Sequence, residues 1–117
     1  MVYKLVARED SSGELVGVAK RSVDKLSVGG RKSALRRRSP EGTAVEEVVG
    51  IGHAPADDGD DRVLLRPYVS RGEPVGAETL ADVRARHVES LAELPSAARQ
   101  LSRGEPVIPT RYEPLPG

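Results

Sequence analysis

The 117-residue sequence predicts an α+β fold: a mostly antiparallel sheet of about five short strands, followed by one main helix, a short second helix and a Pro-rich tail. Two observations predict it. Up to about residue 75, apolar residues fall in short runs joined by turn-length links rich in Gly, Pro, Asp and Ser, the pattern of consecutive antiparallel strands. Beyond that point the apolar residues recur every three to four positions, which is the period of one face of a helix.

Val2 to Arg8 is rich in Val, Leu and Tyr and reads as the first strand. Asp10-Ser11-Ser12-Gly13 is a turn, because Asp and Ser side chains bond their own backbone and Gly tolerates positive φ. Leu15 to Lys20 returns as the second strand of a hairpin. Gly29-Gly30 makes a tight bend into a third strand, Lys32 to Arg38, and Ser39-Pro40-Glu41-Gly42 is a strong turn signal. Ala44 to Ile51 is the fourth strand, read with Val45, Val49 and Ile51 on one face and Glu46 and Val48 on the other. His53 to Asp61 is loop. Arg62 to Val69 is the fifth strand, and Pro67, which lacks an N–H, makes its end an edge or a bulge.

Leu80, Val83, His87, Leu91 and Leu94 are spaced as one helix face. Thr79 with Asp82 resembles a capping box at its start, and Pro95 ends it. Ser96 to Arg103 forms a short second helix, stopped by Gly104 and Pro106. The tail from Pro106 to Gly117 holds four prolines and is extended, an order that requires an external surface to lie on. The hexapeptide Ser-Arg-Gly-Glu-Pro-Val occurs at Ser70–Val75 and again at Ser102–Val107; with unlike flanks, it is the same turn chemistry used twice.

Composition narrows the function classes. Hydrophobic residues make up 38 %, but the aromatics are three Tyr with no Phe or Trp. The core must come from Val, Leu and Ala, which bury less area per residue, so a thin core needs help from a neighbour. The absence of Cys excludes disulfides, Cys-ligated zinc and thiol nucleophiles. No apolar run approaches membrane-spanning length, and the N-terminus carries no signal-peptide apolar region; the expectation is a cytoplasmic chain with no membrane partner. Net charge is zero but segregated: residues 1–40 carry ten basic and four acidic side chains, and residues 41–61 carry seven acidic and none basic.

The basic stretch Lys20–Arg37 around Gly29-Gly30 is open to two readings. Glycines let the backbone approach an anion, and the flanking cations supply charge-assisted hydrogen bonds, which makes Lys25, Arg31 and Lys32 candidate phosphate contacts. Equally, it is an Arg-rich hairpin paired with the acidic loop Asp57–Asp61. P-loop spacing is absent. The Asp57-Asp58-Gly59-Asp60-Asp61 run lacks the twelve-residue calcium-loop pattern and reads as a solvated loop. His53 is a loop residue, and His87, on the apolar helix face, is a packed or hydrogen-bonded structural histidine. No catalytic residue and no metal site is visible. A small basic module binding anions or nucleic acid is the alternative function, although aromatics for base stacking are not interleaved with the cations.

The stretch resembles nicotinate phosphoribosyltransferases. That family carries a Lys-x-Ser-Pro-Gly-Lys-x-Thr-x-Pro-Gly-x-Lys pattern ending in an Arg, after a Val-Tyr-Lys-Leu-Val strand. Here the strand is Val2-Tyr3-Lys4-Leu5-Val6, and the pattern stands as Lys20, Ser22, Lys25, Ser27, Gly30, Lys32 and Arg36. Val23-Asp24 and Gly29-Gly30 replace the two Pro-Gly pairs. Leu64-Leu65, Pro67, Gly72-Glu73-Pro74, Leu80 to Arg86, Leu91 to Pro95, Arg99-Gln100-Leu101 and Glu105 to Thr110 follow the family's order.

The resemblance implies that residues 1–117 are a single C-terminal segment, in which residues 1–75 are β-rich, residues 76–104 are helical and residues 105–117 are an extended tail. It implies an enzyme that makes nicotinate mononucleotide from nicotinate, phosphoribosyl pyrophosphate and ATP, in NAD salvage. Its catalytic residues sit on an irregular α/β barrel whose motifs this chain lacks, so the chain by itself is inert. ATP and magnesium are expected for the full-length enzyme and no cofactor for this chain. The implied partner is the remainder of the enzyme, or a second copy in a homodimer, and not nucleic acid.

Overall fold

The computed structural model describes residues 4–19, 28–100 and 104–114. In chain order the elements are β1 (Ala7–Glu9), β2 (Leu15–Gly17), β3 (Lys32–Arg38), β4 (Ala44–Ile51), β5 (Arg62–Val63), β6 (Val69–Ser70), β7 (Glu73–Pro74), α1 (Leu80–Ala92), a 3-10 turn at Ser96–Arg99, and β8 (Thr110–Glu113). The architecture is α+β.

β1 and β2 form the expected hairpin, with Ala7 opposite Gly17 and Glu9 opposite Leu15, but each strand is shorter than predicted: Lys4 to Val6 and Val18 to Ala19 lie outside them. Asp10 builds its turn: one carboxylate oxygen accepts from Ser12 N at 2.8 Å, Ser12 Oγ at 2.6 Å and Glu14 N at 3.1 Å. Those donors hold the Asp10 carboxyl below its ordinary value. The upstream end of the first predicted strand, Val2 and Tyr3, lies outside the described residues.

The centre of the fold is the antiparallel pair β3–β4, in register from Lys32 opposite Ile51 to Arg38 opposite Ala44, with a slip between Arg37 and Arg38. Both strands have the bounds that the sequence predicts. β5 adds antiparallel to β3, and β8 adds parallel to β4, giving the order β5-β3-β4-β8.

The fold differs from the expectation in three ways. The sheet is mixed, because the tail returns parallel to β4. Thr110–Glu113 of the tail therefore lies on the chain's own sheet edge and not on an external surface, and there Arg111 bonds Glu46 at 2.7 Å and Glu113 at 2.6 Å. The single predicted strand Arg62–Val69 is two elements: β5 stops at Val63, ahead of Pro67, and β6 pairs instead with β7. That small hairpin turns through Arg71 and Gly72, both at positive φ. Finally, the second predicted helix is one 3-10 turn, and residues 101–103 of it lie outside the described residues.

The helix begins as predicted. Thr79 Oγ1 accepts from Asp82 N at 3.2 Å, and Asp82 accepts from Thr79 N at 2.9 Å, a reciprocal capping box. Its C-terminal carbonyls find donors elsewhere in the chain: Ala44 N to Glu93 O at 2.8 Å, and Arg99 to Leu91 O at 3.1 Å.

The buried apolar core of the described residues is small: Leu35, Ala44 and Val48. On β4 the buried residues are Ala44, Val48 and Gly50, one alternating face. The more apolar face read from the sequence carries Val45, which is half exposed. The reason is tertiary. The segment after β4 folds back over Gly50, where a Cβ would collide with the His53 carbonyl and the Pro55 ring. With so few core residues, each one matters. Leu35→Ala should cost about 2–5 kcal/mol, a large part of the stability of a small domain; urea unfolding followed by circular dichroism would show a midpoint near zero denaturant.

Candidate functional site

Alternation along β3 sends Arg36 and Arg38 to one face and Arg37 to the other. On the first face they converge on Glu93, just beyond the C-terminus of α1. Arg36 bonds Glu47 at 2.8 Å and Ser90 Oγ at 3.2 Å, and lies 3.7 Å from Glu93. Arg38 reaches Glu93 at 2.9 Å. Arg62 from β5 grips both oxygens of Glu93, at 2.6 and 2.8 Å. Glu93 is buried, and burial opposes its ionisation. The hydrogen bonds and charge of Arg62, with those of Arg38, outweigh that and hold its carboxyl below the ordinary 4.5. Bonding to Glu93 likewise raises Arg62 above its ordinary value.

On the other face, Arg37 bonds Asp61 at 2.7 Å and the Ala56 carbonyl at 3.3 Å. The reading in which the Arg-rich hairpin pairs with the acidic loop therefore holds for Arg37, and for Arg38, whose Nε donates to the Asp60 carbonyl at 2.6 Å. Asp57, Asp58 and Asp61 gather within 4.8 Å, a spacing that could hold a cation. Asp57 and Asp58 accept from the Gly59 and Asp60 amides, and Arg37 neutralises Asp61.

The candidate phosphate contacts separate. Lys25 lies outside the described residues. Lys32 Nζ donates to the Gly30 carbonyl at 3.0 Å, which turns it back on its own bend. Arg31 is exposed, and no hydrogen bond or ion pair engages its guanidinium among the described residues. It lines a cup of about 170 Å³ with Ser33, Gly52, His53 and Ala54. His53 Nδ1 sits 3.3 Å from the Ile51 carbonyl, and its Nε2 lies 3.7 Å from Glu113. Sequence reasoning missed Ser33 and treated His53 as loop only. The two-residue spacing of Arg31 and Ser33 was the signal available, since it puts both on one side of the chain entering β3.

A second, larger concavity of about 570 Å³ runs between the segment Arg62–Tyr68 and α1, where Val83, Arg86, His87 and Ser90 line it. His87 is exposed here, not packed as predicted, because no element covers this side of α1 among the described residues. At one end Glu78 gathers Arg66 at 3.1 Å, Arg86 at 2.8 Å and the Tyr68 hydroxyl at 2.8 Å. Donating to that carboxylate pushes the Tyr68 hydroxyl above its ordinary value.

Sequence comparison places this geometry. The chain is similar to the C-terminal portion of nicotinate phosphoribosyltransferase. It is 44 % identical over 115 residues to nicotinate phosphoribosyltransferase pncB1 of Mycobacterium tuberculosis strain CDC 1551 / Oshkosh, and equally to pncB1 of strain ATCC 25618 / H37Rv. The match covers 97 % of this chain and 25 % of each relative, so the chain spans about a quarter of the length of the relatives it matches. No family profile matches it. No helix of the described residues is long and apolar enough to cross a membrane.

The Glu93 cluster has a direct consequence for stability. Glu93→Gln should destabilise the fold by about 2–3 kcal/mol at pH 7, less than the ~3–5 of a fully buried pair, because the Arg38 and Arg62 side chains stay 28 % and 22 % exposed. A depressed carboxyl stabilises above its unfolded pKa and loses that contribution as pH falls through the lower folded value. Melting temperature should therefore hold down to about pH 5 and then drop, with a shallower drop in the Gln variant; parallel acid curves for the two proteins would remove Glu93 as the titrating group.

Proposed function

We propose that this chain is the C-terminal, non-catalytic portion of an enzyme of the nicotinate phosphoribosyltransferase kind. That enzyme joins nicotinate to phosphoribosyl pyrophosphate with ATP, giving nicotinate mononucleotide for NAD salvage. The observation that carries the reading is the 44 % identity that spans nearly all of this chain but a quarter of its relatives. The thin core supports it, since a segment that buries three apolar side chains among its described residues gains stability from a larger body. In this reading the barrel, the ATP and magnesium sites and the catalytic groups belong to the other three quarters. The assembly is cytoplasmic and homodimeric.

The role of this portion is structural, with one contribution toward substrate. Arg31, with Ser33 and His53 beside it, offers a free guanidinium to a phosphate at the edge of the active site. Lys32 contributes less, being held by Gly30. A stand-alone nucleic-acid module is disfavoured. Arg36, Arg37 and Arg38 each meet a carboxylate, so these three cations are spent within the fold and do not serve to displace counterions from a phosphate backbone.

The purified chain incubated with nicotinate, phosphoribosyl pyrophosphate, ATP and magnesium should form no nicotinate mononucleotide. Detectable product would overturn the non-catalytic assignment. In the longer enzyme, Arg31→Glu should raise the KM for the phosphorylated substrate about tenfold with kcat unchanged, the size of a lost charge-assisted hydrogen bond. An unmoved KM would leave this portion a structural role alone.

A further inference from the structure

The groove beside α1 is walled by exposed apolar side chains. None of the 13 residues of α1 is buried. Its apolar face, Leu80, Val83 and Leu91, stands open, and Val63, Leu65 and Tyr68 stand open across the groove. An amphipathic helix ordinarily buries such a face. Here polar contacts hold the helix instead: Ser90 and Glu93 to the arginines of β3 and β5, and Arg86 with Glu78 to Tyr68 and Arg66.

The area agrees. The chain exposes 9528 Å², against about 6,200 Å² for a monomeric protein of 12.5 kDa. The surplus, summed over the whole chain, leaves room for an interface in which each side buries ~1,000–2,500 Å². The arginines that line the groove are already paired, Arg62 with Glu93 and Arg66 and Arg86 with Glu78, so apolar area and not charge is what the groove offers. The relatives are about four times as long as this chain, and their additional polypeptide is the occupant at hand.

We propose that the groove between Arg62–Tyr68 and α1 is the seat of the polypeptide that the longer relatives carry and this segment lacks, supplied by the same chain or by a separate one. The docking element presents apolar side chains to Val63, Leu65 and Val83 and carboxylates or carbonyls to the half-exposed Arg66. This inference rests on the reading of the chain as one portion of a longer enzyme, and it adds the surface through which the portions join.

The test uses the Mycobacterium tuberculosis relative from which the matching quarter has been removed, expressed as a separate polypeptide and titrated with this chain. The wild-type chain should bind. Leu65→Asp and Val83→Asp should each weaken binding at least tenfold, while Val45→Asp, on β4 and away from the groove, should not. Both groove substitutions sit at exposed positions, and circular dichroism checks that the fold survives them. The chain has no cysteine, so Val83→Cys supplies a single thiol, whose maleimide labelling should slow at least tenfold in the complex.

Binding by the wild type that neither groove substitution weakens, with no protection of the thiol, would overturn the groove and leave the parent reading standing. Equal loss in Val45→Asp would do the same. No binding by the wild type would take down both. A dimer of the chain alone, dissolved by Val83→Asp, would assign the groove to a second copy and overturn the proposal.

Discussion

A single buried carboxylate holds this structure together. Glu93 follows the C-terminus of α1, where the helix dipole is negative and an acidic residue is ordinarily unfavourable. The last turn of the helix carries no basic residue to offset it. The compensation comes from the sheet, as Arg36 and Arg38 on β3 and Arg62 on β5 surround that carboxylate. The Glu93 carbonyl accepts from Ala44 at the start of β4. Helix, hairpin and edge strand are thus joined at one point, by charge and hydrogen bonds more than by apolar packing.

That choice of glue explains the rest of the surface. Because Leu35, Ala44 and Val48 are the buried apolar residues among those described, the helix is positioned without being packed. Its apolar stripe and the strand segment opposite are left as two walls of an open groove. A buried ion cluster fixes geometry better than it adds stability, since desolvating the charges offsets most of their attraction. A segment built this way is well oriented but thinly stabilised.

Much of this was legible along the chain. β3 and β4 have their predicted bounds because strong turn chemistry at Ser39–Gly42 closes the hairpin and the Val-rich run of β4 fixes one side of it. The capping box at Thr79 and Asp82 is a local device, complete within four residues, so local sequence reveals it. The candidate site was half legible. The cations at 31–38 stand out in the sequence as a group, but which of them is spent internally does not. Arg36 is committed by Ser90 and Glu93, more than fifty residues away, and Arg37 by Asp61; only Arg31 is left free to meet an anion. The sequence places all of these on strands without saying what stands opposite.

The sequence by itself determined the α+β class, the central hairpin, the helix and its start, and the likeness to one enzyme family, because each rests on local propensity or on matched residues. Only the tertiary structure decided that the tail pairs parallel with β4, that Pro67 splits the fifth strand into two elements, that Ala44 and Val48 rather than Val45 face inward, and that the apolar face of α1 stays uncovered. Those outcomes depend on contacts between residues far apart in the chain, where loop closure and long-range ion pairing, rather than local periodicity, choose among arrangements that the sequence pattern permits equally.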